Sequence, residues 1–212
     1  MSGPANGPQL RHVGLNLLHS DEMEPEEAAT GLYGFWIFLM SDAILFALLF
    51  AIYGTQLAAT AGAQGPQDVL KLGPAFVETV ILLTSSLTFG LAAIALKYDR
   101  GQFGLVLWLC VTLMLGIAFL GFEISDFRTM FADGATPDRS GFLSAFFALL
   151  PTHGLHVAAG CIWIMVMLAQ IAVFGTDGRV KLNLLRLGLF WHFLDIIWIA
   201  IFSVVYLQGT LA

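Results

Sequence analysis

Charge is what this sequence has least of. Lys, Arg, Asp and Glu make up 11% of its 212 residues, where a soluble domain carries about 25%. That excludes an ordinary water-soluble fold. Basic charge is the scarcer sign, nine Lys and Arg against fifteen Asp and Glu. With no basic stripe to follow a phosphate backbone, nucleic acid is excluded as a partner. Cysteine is also scarce. Cys110 and Cys161 both lie inside apolar runs, so neither a disulfide framework nor a CxxC metal pair exists, and both read as small core residues. Residues 1–31 have no apolar core segment of the kind a cleavable signal peptide needs. There is no internal repeat, no phosphate-binding glycine loop and no nucleophile–base pair.

What the chain has is hydrophobicity, 58% of its residues, gathered into five runs. These lie at about 32–53, 74–96, 103–124, 141–174 and 187–207, and each reaches the roughly 20 residues that carry a helix across a bilayer. The expected fold is an all-α integral membrane protein, a bundle of five transmembrane helices. Residues 1–31 form a polar tail with the acidic cluster Asp21, Glu22, Glu24, Glu26 and Glu27; residues 32–208 form the membrane domain; residues 209–212 are a short end. Pro74 suits the start of the second span, where its missing N–H is no loss. Ser86, Gly90, Ala93 and Ala95 offer a small-residue face for close helix contact. Pro151 supplies a cause for a kink in the long fourth span.

Lys and Arg divide six to three between the two sides. Arg11, Lys97, Arg100, Arg179, Lys181 and Arg186 share one side; Lys71, Arg128 and Arg139 share the other. The positive-inside rule then places the N-terminus in the cytoplasm and the C-terminus on the periplasmic side.

The polar residues inside the runs are the candidate site. Asp42 stands in the middle of the first run, where a lone carboxylic acid is costly and turns toward protein or water. It either packs against a partner Ser, Thr or His, or serves as an acid in proton relay or lipid and subunit binding. Glu78 lies in the first turn of the second span, where the helix dipole favours a carboxylate. Glu123 and Asp126, three apart on one face, mark the outer boundary of the third. His153 and His156 share a face of the fourth, as His192 and Asp195 do of the fifth. Histidines and acids on neighbouring helices raise the prospect of a metal or haem site. A di-iron bundle, however, needs paired Glu-x-x-His motifs and further glutamates that are missing, whereas any of the three histidines offers an axial haem ligand. The simpler reading is an inter-helix polar network of Glu78, His153, His156, His192 and Asp195.

Several segments together resemble a known family. They are GFWIFLMSDAILFALLFAIY, FVETVILLTSSLTFGLAAIA, GFEISDF, PDRSGFLSAFFALLPTHGLHVAAGCIW and LFWHFLDIIWIAIFSVVYL. The chain looks like subunit III of the haem–copper respiratory oxidases, in its bo-type ubiquinol oxidase branch, across residues 31 to 208. HGLHV together with WHFLDIIW carries the specificity. The resemblance implies five helices where cytochrome c oxidase relatives usually have seven. It implies a non-redox subunit of a proton-pumping terminal oxidase in the bacterial inner membrane. No haem or copper is expected in this chain; both belong to subunit I, and subunits I, II and IV are the implied partners. Phospholipids would occupy a helix cleft, and the subunit would support proton uptake and complex stability. At the Asp42 position the cytochrome c branch usually has Glu, a carboxyl known for reacting with carbodiimides, and the shorter Asp moves the acid. Three alternatives remain: a cytochrome c oxidase subunit III, a self-sufficient haem or metal membrane protein, and a transporter with Asp42 in its path.

Overall fold

The computed structural model describes residues 25–60, 62, 65, 70–98 and 102–211, all of them helix, turn or connecting chain. Arg11, Arg100 and the acids Asp21, Glu22 and Glu24 lie outside the described residues. Five long helices follow in order: α1 Pro25–Gln56, α2 Leu72–Lys97, α3 Gln102–Ala132, α4 Gly141–Phe174 and α5 Gly178–Ile201. A π-helical turn, Phe202–Leu207, continues α5, and a short helix α6, Gln208–Leu211, follows it. All five are long and apolar enough to cross a membrane, in spans of 26 to 34 residues. At 1.5 Å per residue that is about 40 to 50 Å, more than the ~30 Å hydrocarbon layer, so the helices tilt or stand out into the headgroups.

The helix ends depart from the apolar runs where sequence hydrophobicity stops being a guide. α3 continues past Ile124 to Ala132 because Asp126, Arg128 and Thr129 are polar without breaking a helix; Gly134, at φ 79, does that. α5 begins at Gly178, not 187, because Arg179, Lys181 and Asn183 alternate with Val180, Leu182 and Leu184, which are buried. α4 starts at a built cap: Ser140 Oγ accepts from the Leu143 N–H at 3.1 Å. Ahead of it the turn Pro137–Arg139 is fixed by Ser144, whose hydroxyl donates to the Pro137 carbonyl. α4 then runs unbroken through Pro151 and ends at Gly175, at φ 72, a conformation that only glycine adopts without strain.

Four helices close a ring. The most extensive interface is α2 on α3; α3 also packs on α4, α4 on α5, and α5 back on α2. α1 lies outside that ring and rests on α4 and α5. Its C-terminal end meets the start of α4, where the Phe142 N–H donates to the Ala59 carbonyl at 3.3 Å. The core is aromatic: Phe46, Phe119, Phe142, Phe146, Trp191 and Trp198 are all essentially inaccessible. The perimeter is apolar as well, with Ile44 71% and Phe103 82% exposed, as expected of a surface whose solvent is lipid.

Glycine sets the closest approaches. A Cβ on Gly116 of α3 would stand 2.8 Å from both Cys161 Sγ and Trp191 Cη2, and one on Gly160 of α4 2.9 Å from Trp191 Cζ3. The Trp191 indole therefore fills a slot between α3 and α4 that exists only because both positions lack side chains. Gly90, a member of the small-residue face read from the sequence, meets nothing within 4 Å.

Candidate functional site

Asp42 on α1 and His156 on α4 meet, Nε2 to Oδ1 at 3.2 Å. The imidazole is oriented from its other side, where Nδ1 lies 2.6 Å from the Thr152 carbonyl one turn back. A carbonyl only accepts, so Nδ1 carries a hydrogen. The Nε2–Oδ1 contact then needs one more proton, held either by the imidazole or by the carboxyl. In both forms the pair is neutral as a whole, which suits a site in the bilayer. Asp42 Oδ2 has no hydrogen-bond partner. Phe46 shields the pair, its ring centroid 5.2 Å from that of His156.

His153 shares that face of α4 but not that pairing. It is fully buried, boxed by Trp198 at 5.3 Å, Phe119 at 5.9 Å and Phe46 at 6.3 Å between ring centroids, and neither nitrogen has a hydrogen-bond partner. His192 turns the other way, toward α2, its Nδ1 2.6 Å from Ser86 Oγ. Asp195 sits 3.8 Å from the same nitrogen, buried, with both oxygens lacking a hydrogen-bond partner. The three histidines thus differ in their polar partners: Asp42 for His156, Ser86 for His192 and none for His153. Among the described residues, no three His, Cys, Asp or Glu side chains gather as metal ligands would.

The α2–α5 seam is a ladder that hydropathy does not reveal. Trp198 Nε1 donates to Thr79 Oγ1 at 3.0 Å, Trp191 Nε1 to Ser85 Oγ at 3.1 Å, and Ser86 meets His192. From Thr79 to Ser85 on α2 the partner on α5 moves back from Trp198 to Trp191, the register of antiparallel neighbours. A buried indole N–H needs an acceptor, so the tryptophans were the available signal for Thr79 and Ser85. Between α2 and α3, the Thr88 and Thr112 hydroxyls meet at 2.8 Å.

Glu78, Glu123 and Asp126 come together where the start of α2 meets the end of α3, close enough for their charges to act on one another. At the other end of that hairpin an open apolar groove of about 190 Å³ lies between α2, α3 and α5. Phe89, Ala92, Leu109 and Leu184 line it, with His192 at its rim.

The class of this protein, a ring of four helices with an added first helix and an acid–imidazole pair between α1 and α4, comes from comparison with known proteins. The family model for cytochrome c oxidase subunit III matches residues 24–210; the chain belongs to this family of haem–copper oxidase subunits. It is 45% identical over 194 residues to the cytochrome bo(3) ubiquinol oxidase subunit 3 of Pseudomonas aeruginosa, covering 91% of this chain and 92% of the relative. It is 48% identical over 178 residues to the protein of that name from Pseudomonas putida, 84% and 86% of the two chains. The quinol oxidase subunit 3 of Bacillus subtilis is 39% identical over 189 residues, 89% and 92%.

Proposed function

We propose that this chain is subunit III of a bacterial ubiquinol oxidase, a complex that oxidises ubiquinol, reduces dioxygen to water and pumps protons. The observation that carries the reading is 45–48% identity to two ubiquinol oxidase subunits 3 along nearly their whole length. In this reading the chain is non-redox. Haems and copper reside in subunit I, and subunits I, II and IV are its partners in the inner membrane, with the N-terminus cytoplasmic. Its part is mechanical and protonic. Asp42–His156 would fasten α1 to the ring and hold a proton near the membrane centre; Glu78, His153, His192 and Asp195 would complete the polar network; Glu123 and Asp126 would form its outer boundary. The apolar groove beside His192 has a lining suited to a phospholipid acyl chain.

The family model bears the cytochrome c oxidase name, which supports a second reading with a different electron donor. Purification in mild detergent through a tag on this chain tests both. The first predicts a larger haem- and copper-bearing partner and oxygen uptake driven by ubiquinol; uptake driven by reduced cytochrome c alone would favour the second. A chain that purifies without partners yet shows a haem band would overturn both.

A further inference from the structure

His192 and Ser86 meet near the centres of their helices. His192 is the fifteenth residue of the 30-residue span Gly178–Leu207, and Ser86 the fifteenth of the 26-residue span Leu72–Lys97. The imidazole is nonetheless 48% exposed, at a depth where lipid offers a polar atom no partner. It stands at the rim of the groove between α2, α3 and α5. Its Nδ1 is taken, 2.6 Å from Ser86 Oγ. The Asp195 carboxyl, 7% exposed, lies 3.8 Å from the same nitrogen, and neither of its oxygens has a hydrogen-bond partner. Nε2 is the nitrogen left for an occupant of the groove. Phe89 meets the imidazole edge to face, ring centroids 5.9 Å apart. Gly188 makes room for it, since a Cβ there would stand 2.8 Å from that phenyl ring. Leu109, Leu184 and Leu189 continue the apolar wall.

An occupant has to satisfy both halves of this site. An acyl chain matches the leucines and leaves Nε2 unpaired. A phospholipid headgroup stays at the surface, about 15 Å from the bilayer midplane. A partner helix is too large to enter: one turn, 5.4 Å long and about 10 Å across, fills on the order of 400 Å³, against about 190 Å³ here. What fits is a neutral ring that carries an oxygen and an apolar tail. A serine hydroxyl donates or accepts, and a neutral imidazole does one at each nitrogen. The Ser86–His192 pair therefore presents Nε2 either as an acceptor for a quinol O–H or as an N–H donor to a quinone carbonyl. We infer that the His192 end of the groove binds a quinol of the membrane pool, with a ring oxygen on Nε2 and the tail along the leucines. The inference rests on the ubiquinol oxidase reading for the choice of ring. It is a binding site, and no electron transfer within this chain is implied.

Photolabelling tests it, with the intact complex purified through this chain into lipid nanodiscs and a ubiquinone that carries an azido group on its ring as the probe. The label should attach to the α2 and α5 peptides around Ser86 and His192, and excess unlabelled ubiquinone should displace it. His192→Phe should lower that labelling several-fold. So should Ala93→Phe, which fills the groove from its exposed side; if one variant fails to assemble, the other decides. Labelling that the variants leave unchanged, or that excess ubiquinone does not displace, overturns the site. A phospholipid with a photoreactive acyl chain that labels the same peptides, undiminished by excess ubiquinone, gives the groove to lipid and also overturns it. Absent labelling in a complex that consumes oxygen with ubiquinol, the result if a partner subunit covers the groove, overturns the site and leaves the oxidase reading standing. Oxygen uptake driven by reduced cytochrome c alone overturns that reading instead, and the labelling still decides the site.

Discussion

Asp42 and His156 stand 114 residues apart and meet at 3.2 Å, joining α1 to a ring of helices it otherwise only flanks. Because the Thr152 carbonyl fixes the imidazole, the carboxyl finds its partner already oriented. Inter-helix hydrogen bonds in bilayers contribute about 0.6 kcal/mol on average and about 1.7 at most, so the pair is a modest fastening whose loss should be felt at α1.

Asp42→Ala should leave haem content of the complex unchanged while shortening its catalytic lifetime or loosening attachment of this subunit. His156→Ala should do the same, and the double variant little more than either alone, since each removes the same contact. Turnover decay and subunit retention after detergent washing measure both. A complex with wholly normal lifetime and retention would mean the pair has no role beyond packing.

Gly116→Ala and Gly160→Ala should each destabilise the fold by about 1–3 kcal/mol through overpacking, because both new methyl groups press on the Trp191 indole. Trp191→Phe should relieve Gly160→Ala more than Gly116→Ala, whose methyl also meets Cys161 Sγ, while losing the bond to Ser85. Thermal unfolding in detergent, singly and in combination, would read the coupling.

Trp198→Phe should cost more than Thr79→Ala, because it also removes ring packing against Phe119 and His153, and a double-mutant cycle should return a coupling on the order of 0.6 kcal/mol. Additive losses would mean the 3.0 Å contact contributes nothing beyond packing.

Acidification should loosen the turn ahead of α4. The Thr136 side chain hydrogen-bonds the Asp138 carboxyl, and the residue's own N–H and the Arg139 charge assist, holding it below the ordinary aspartate value of 3.8. A depressed folded value contributes stability that is present above 3.8 and is lost as pH falls through the lower folded value. Amide exchange over 136–144 should therefore rise only at strongly acidic pH, and Asp138→Asn should abolish the dependence. The site is fully exposed, so the effect is local.

Runs of apolar residues made the five helices legible, because a bilayer demands length and hydrophobicity and little else. They were poor guides to the ends: Arg179 and Lys181 read as loop, yet the buried side chains between them are helical. Among the site residues, spacing put His153 and His156 on one face, but not their different fates, one paired with Asp42 and one boxed by aromatic rings. Those depend on which helix lies opposite, and no single helix contains that information. Tyr206 was likewise invisible as a residue within electrostatic reach of Glu78, since a π turn decides where it falls.

The outlying position of α1 also bears on biogenesis. α1 ends at Gln56, while the two helices it rests on begin at Gly141 and Gly178. During synthesis it must therefore wait in the lipid, its central Asp42 without its imidazole, until α4 enters the membrane. The costliest residue of the first helix is thus exposed for longest, and prompt delivery of the later helices becomes part of what keeps the nascent chain intact.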